Sequence, residues 1–311
     1  MKILRPTRRA AGAFALLALL LIARRAAAVD PRIVNGVPTQ QRPTTAVLLV
    51  RNAAFTTFFG ICSATLVGCQ HVVTAGHCVC NGSDFASCGT PNPADFAIYL
   101  QHVGLLTVSA INVNPAYDGT SSDVSVLTLS APVSGVRPTK INTTGNPTVG
   151  MAGSIAGYGV TDGPSNDFGI LRQGSVVISS CGGFFPEPDM TCWTFDAPVG
   201  PPGTDSDTCY GDSGGPLFVD FGGGEVLAGA TAAGTDVNCR PTDISDDTNI
   251  FQNRTFIQSI GGSDIPSTTG STLAAALAIF EAVVGSGQGP WELPLSMSSR
   301  HPCMSFSLVP V

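Results

Sequence analysis

Gly211-Asp212-Ser213-Gly214-Gly215-Pro216 is the stretch on which the reading of this 311-residue chain turns. A serine flanked by glycines can bring backbone N–H groups against a reacting carbonyl, where side chains would obstruct the approach. Its hydroxyl is a poor nucleophile until a base takes the proton. Upstream, Thr74-Ala75-Gly76-His77-Cys78 offers an imidazole, which accepts and returns a proton near neutral pH. His77 needs an acceptor on its other ring nitrogen to fix the tautomer. Asp123, which opens the apolar run 124–129 after a polar turn, is the best-placed carboxylate, with Asp95 and Asp118 as rivals.

Around these segments, short apolar stretches alternate with turn residues. Residues 46–50, 62–67, 96–100, 124–129, 154–156, 174–178, 217–219 and 226–231 read as strands. No long amphipathic helix is expected before residue 270. With 43% apolar and 12% charged residues, 36 Gly and 23 Pro, the chain is neither disordered, coiled-coil nor collagenous, and favours an all-β fold. Its length suits about two units of ~150 residues. A Pro, Gly, Asn and Thr cluster at 139–150 is the expected internal boundary. After residue 262 the texture changes to a Ser/Thr/Gly linker, an Ala/Leu-rich stretch at 273–284 that suits a packing helix, and a tail carrying Cys303.

Lys2, Arg5, Arg8 and Arg9 precede the apolar run 10–23, and Ala26, Ala27 and Ala28 follow. This is the pattern of a secretory signal peptide over 1–28, its apolar run shorter than the ~20 residues of a spanning helix. A secreted or periplasmic protein is therefore expected. Beyond residue 32 the chain has eight basic against 21 acidic residues, a net charge of −13, which disfavours nucleic acid and anionic lipid as partners. Ten cysteines in an exported chain read as disulfides, and zinc held by Cys69, Cys78, Cys80 and Cys88 would lack C-x2-C spacing. Asn81, Asn142 and Asn253 each begin a glycosylation pattern.

The order His77, Asp123, Ser213 in these contexts resembles the trypsin/chymotrypsin-like serine protease family over residues 33–262. The resemblance implies two packed six-stranded antiparallel β-barrels with the active site in the cleft between them. It implies Ser213 as nucleophile, His77 as general acid and base, Asp123 as orienting carboxylate, and the N–H groups of Gly211 and Ser213 as oxyanion hole. Arg32 followed by Ile33-Val34-Asn35-Gly36 is similar to the family's activation site. Cleavage there would remove a 29–32 propeptide and free an Ile33 ammonium to pair with Asp212. Asp207 would lie at the base of the primary pocket and receive Arg or Lys, with Thr208 beside it and Gly234 on one wall. Asn249 is aligned where trypsins have Gly, and would narrow the pocket if its side chain pointed inward.

The same resemblance pairs Cys62 with Cys78, Cys181 with Cys192 and Cys209 with Cys239. Cys69, Cys80, Cys88 and Cys303 retain three possible pairings. The implied chemistry needs no cofactor, and a calcium-binding loop stays open. Its partners would be protein or peptide substrates, an activating protease and protein inhibitors. Ala232 and Ala233 stand where the family commonly has a Ser supporting the catalytic Asp and an aromatic. These departures motivate an alternative, a catalytically weak homologue acting as a binding module.

Overall fold

A computed structural model describes residues 33–52, 54, 56–80, 88–266 and 303. The expected leader, the 29–32 segment with Arg32, Asn81 and the 273–284 stretch lie outside the described residues. The strands are β1 (Val37–Pro38), β2 (Thr45–Arg51), β3 (Phe58–Leu66), β4 (His71–Thr74), β5 (Phe96–Leu100), β6 (Gly104–Val113) and β7 (Ser125–Leu129). They continue with β8 (Ala152–Gly157), β9 (Arg172–Ser179), β10 (Met190–Thr194), β11 (Pro216–Asp220), β12 (Glu225–Gly234) and β13 (Ile244–Asn249). Helix α1 (Ile250–Gly261) follows directly.

Strands β2-β3-β4-β7-β6-β5 close into one barrel. Strands β8 to β13 close into a second, in the order β9-β10-β13-β12-β11-β8, with β8 pairing back onto β9 and β1 added to the β9 edge. Every strand pairing is antiparallel. The two six-stranded barrels make the protein all-β, in line with the expected fold class.

Period-2 patterning accounts for much of this. In β9 alternate residues Arg172, Gly174, Val176 and Ile178 turn inward, and Val176 and Ile178 meet Ile155, Trp193, Leu217 and the Ile33 side chain in the second core. The first barrel is filled by Leu48, Leu66, Ile98, Leu100 and Leu127, all without exposure. Between the barrels, Val67, Val73, Val124 and Val126 pack on Leu227, Ala230, Ile250 and Ile257. The Ser63 N–H donates to the Ser213 carbonyl at 2.9 Å across the same seam.

Strands β1, β4, β6, β10 and β13 and helix α1 lie outside the stretches the sequence marks, and β13 and α1 run against its pattern. Strand β13, Ile-Ser-Asp-Asp-Thr-Asn, is buried along nearly its whole length although polar, because it pairs on both sides with β10 and β12. Helix α1 forms before residue 270, against expectation, because Asn249 caps it: its side chain accepts from the Phe251 N–H, while Ile250, Asn253 and Ile257 face the core. Asn142 and Asn253 are buried and hydrogen-bonded through their side-chain amides, so neither offers a glycan acceptor in the folded chain.

Five disulfides are formed: Cys62–Cys78, Cys181–Cys192, Cys209–Cys239, Cys80–Cys88 and Cys69–Cys303. The zinc alternative is thereby removed, since its four sulfurs are all bonded to other sulfurs. Cys303 is tied to the start of the β3–β4 turn and packs near the Val136 carbonyl.

Ile257 has no exposure and joins α1 to both barrels. Ile257→Ala is expected to cost ~2–5 kcal/mol, measured by urea unfolding in a Ser213→Ala background that cannot digest itself.

Candidate active site

His77 lies just beyond β4, and Asp123 just before β7, the strand that pairs with β4. Adjacent antiparallel strands thus deliver the two side chains to one end of the first barrel. Asp123 grips His77 twice. Its Oδ2 is 2.6 Å from His77 Nδ1, and its Oδ1 accepts from the His77 backbone N–H at 2.8 Å. Asp123 is buried, whereas the His77 side chain keeps about a fifth of its exposure, 22%. The rivals Asp95 and Asp118 are placed elsewhere: Asp95 in a short 3-10 turn and Asp118 in a surface turn, accepting from the Thr120 and Ser121 N–H groups. The second barrel supports the pair, for Thr248 Oγ1 donates to the Asp123 carbonyl at 3.0 Å.

Ser213 enters from the second barrel, ahead of β11. Cys78 Sγ is 3.7 Å from both His77 Nε2 and the Ser213 carbonyl oxygen, so imidazole and serine share one corner of the cleft. Gly214 has φ +74, and a Cβ there would stand 2.1 Å from Thr74 Oγ1. Only glycine lets the loop press this closely on the first barrel. Gly211 also has positive φ, +90, and the Ser63 hydroxyl donates to its carbonyl at 2.9 Å while accepting from the Tyr158 N–H at 3.0 Å. Ser63 therefore fixes the peptide that precedes Asp212, a role its sequence context does not reveal.

Asp212 has no exposure. Its oxygens accept from the Gly159 N–H at 2.8 Å and the Cys209 N–H at 3.0 Å. A Cβ on Gly159 would fall 2.5 Å from the Asp212 carboxyl carbon and one on Gly157 2.1 Å from its Oδ1, so both glycines are needed for the segment to close on that carboxylate. Burial pushes Asp212 up to about 7, against the Cys209 and Gly159 hydrogen bonds and the nearby charge of buried Arg172. The Ile33 side chain is wholly buried in the second core, and Val34 bridges to Asp207.

A cavity of about 260 Å³ opens beside Ser213, lined among others by Thr208, Ala233, Gly234, Asp243 and Ser245. Thr208 and Gly234 thus border the same space as the serine. Asp207 does not border it. It has no exposure and lies behind Ser245, whose Oγ donates to Asp207 Oδ1 at 2.6 Å. Asn249 lies away from the cavity: its side-chain N–H groups donate to Asn146 Oδ1 and the Pro188 carbonyl, and its oxygen caps α1. Asn249 therefore does not point into the cavity, and Ser245 lines that wall.

Strand β13 adds carboxylates that the sequence reading leaves unused. Asp243 precedes it, and Asp246 and Asp247 lie within it, all three buried. Burial and then the charge of Asp123 push Asp246 up to about 7. Burial and then Asp246 hold Asp247 well above the usual carboxylate range. Asp246 therefore lies within electrostatic reach of both Asp123 and His77. Cys62, His77 and Cys78 gather ligand-type atoms, but both sulfurs belong to one disulfide and cannot act as thiolates.

A buried carboxylate held by a protonatable imidazole, beside a serine on a glycine-rich loop, can pass a proton from hydroxyl to leaving group. The Trypsin family model matches residues 33–257 of the chain. The serine protease SSP1 of Scolopendra subspinipes is 30% identical over 225 residues, covering 65% of this chain and 73% of that protein. Trypsin-1 of Astacus astacus is 29% identical over 195 residues, 57% of this chain and 78% of its own. The trypsin-like protease of Streptomyces glaucescens is 29% identical over 264 residues, 76% and 90% respectively.

The raised carboxylates predict an acid-shifted stability. An Asp with a folded pKa above its unfolded value of about 3.9 binds more protons folded than unfolded between the two. Each such group lowers stability as pH rises through that window, by up to about 1.4 kcal/mol per pH unit. For Asp246 and Asp212 the window closes near 7. Thermal unfolding of uncleaved Ser213→Ala protein should show Tm falling from pH 4.5 to 7, with a shallower fall in Asp246→Asn. A Tm that rises over that range would contradict this.

Proposed function

The chain belongs to the trypsin family of serine proteases, and from that premise we propose a secreted endopeptidase that cuts after Arg or Lys and is made as a zymogen. The observation that carries the reading is the double hydrogen bond of Asp123 to His77 beside Ser213. In the proposed mechanism His77 takes the Ser213 proton as Oγ attacks the peptide carbonyl. The resulting oxyanion is met by the N–H groups of Gly211 and Ser213. His77, now an imidazolium balanced by Asp123, protonates the leaving amine. Water activated by His77 then hydrolyses the acyl-enzyme. Substrates would be proteins or peptides, and the chemistry calls on no cofactor.

Specificity for a cationic side chain is supported by buried Asp243 on the cavity wall and by Asp207 behind Ser245, with Thr208 and Gly234 also lining the space. Activation would follow cleavage between Arg32 and Ile33. The new Ile33 ammonium would neutralise Asp212, whose burial raises the cost of its charge, and lock the Gly211 peptide. Export is supported by the 1–28 leader pattern and by the five disulfides. No helix among the described residues is long and apolar enough to cross a membrane.

Hydrolysis of matched Arg, Lys, Phe and Ala peptide substrates, before and after cleavage at Arg32, tests the proposal. Activity on Arg and Lys should arise only after cleavage and fall at least ~1,000-fold in Ser213→Ala. Turnover of Phe or Ala alone would discard the specificity, and equal activity before cleavage would discard the zymogen.

A further inference from the structure

Two carboxylates border the cavity, Asp236 and Asp243, and Asp207 does not. Asp236 is already paired with Arg240 at 3.0 Å, which leaves Asp243 for an incoming cation. Asp243 is only 2% exposed yet lines the space beside Ser213. Three donors converge on its Oδ1: the Thr235 N–H at 2.6 Å, the Thr235 hydroxyl at 2.7 Å and the Asp236 N–H at 2.7 Å. They fix the carboxyl group in one orientation. Its Oδ2 lies along the wall beside Gly234, where an added Cβ would stand 2.6 Å from it. Asp207 sits one layer deeper. Its Oδ1 takes the Ser245 hydroxyl, which is also 3.0 Å from Thr208 Oγ1, and its Oδ2 is buried with no hydrogen-bond donor.

We propose that Asp243 is the group on which the cationic end of the substrate side chain lands, with Asp207 reinforcing it from behind Ser245. This rests on the Arg/Lys reading of the site and names the residue that carries it. A guanidinium or ammonium entering past Gly234 meets Asp243 first and Ser245 next. Asp207 contributes through the charge it adds behind that layer and through the hydroxyl it orients. Burial holds the Asp207 carboxyl well above the usual carboxylate range, and a cation in the cavity would favour its charged form.

The test uses the full chain cleaved at Arg32, benzamidine as a cationic probe of the pocket, the four peptide substrates, and a fluorophosphonate that needs no cation to label Ser213. Asp243→Asn keeps an oxygen for the Thr235 and Asp236 N–H groups, and fluorophosphonate labelling checks that its Ser213 site is still assembled. The variant should lose roughly 100-fold or more in benzamidine affinity and in kcat/KM for Arg and Lys, the scale of truncating one partner of a buried charge pair. Asp207→Asn should lose less than about tenfold. Asp243→Glu, which keeps the charge and shortens the pocket, should bind benzamidine and shift the Arg-to-Lys ratio toward Lys by about tenfold. A larger loss in Asp207→Asn than in Asp243→Asn, or an unchanged ratio in Asp243→Glu, overturns the assignment while leaving the Arg/Lys reading intact. A wild-type enzyme that ignores benzamidine and prefers Phe or Ala overturns that reading, and this one with it.

Discussion

The two hydrogen bonds from Asp123 to His77 are the constraint to which the rest of the molecule answers. A carboxylate this buried is tolerable only with both oxygens occupied, and here one serves the imidazole and the other the backbone beneath it. Holding that geometry requires β4 and β7 to be neighbours, which closes the first barrel. It requires Cys62–Cys78 to tie the histidine turn to β3. It also draws on the second barrel, since Thr248 of β13 reaches the Asp123 carbonyl. The cleft is thus a place where each barrel completes the other.

The second barrel contains a set of carboxylates that would be hard to keep in a dry interior if all were charged. Asp212 is relieved by a cradle of N–H groups and by nearby Arg172, while burial and neighbouring acidic charge push Asp246 up to about 7 and hold Asp247 well above the usual carboxylate range. Buried acid on this scale costs stability, of which a domain has only about 5–15 kcal/mol in hand. Under the proposed activation and specificity, these groups would be balanced by cations, the Ile33 ammonium for Asp212 and a substrate side chain for Asp243. Acidity in this chain is therefore as much an interior property as a surface one.

Legibility in the sequence followed physical cause. Apolar runs marked eight strands, such as β2 and β9, but not the short β4 or the β6 and β10 strands, whose Val72, Val108 and Trp193 are also buried in the cores. Glycine-rich context marked the serine loop because close approach demands glycine. Strand β13 was invisible to hydropathy, because its burial is secured by hydrogen-bonded neighbours rather than by apolar side chains. Helix α1, with its Asn, Thr and Ile content, lacked a clear helical stripe, and Asn249 read as a pocket residue instead of a cap. Ser63 and Arg172 carried no local signal, since their partners are distant in sequence. Asp243 was passed over because motif spacing drew attention to Asp207, and only the packing of Ser245 between that residue and the cavity separates the two.

The central claim, that Ser213 is activated through a histidine held by Asp123, is tested most directly by the rate at which a fluorophosphonate labels Ser213 in the cleaved protein and in its Asp123→Asn variant. The account predicts one label per chain, located at Ser213 by mass spectrometry, with the rate falling by about 10³ to 10⁴ in the variant as the imidazole loses its tautomer. Equal rates in the two proteins, or no labelling of the cleaved wild type, would contradict it.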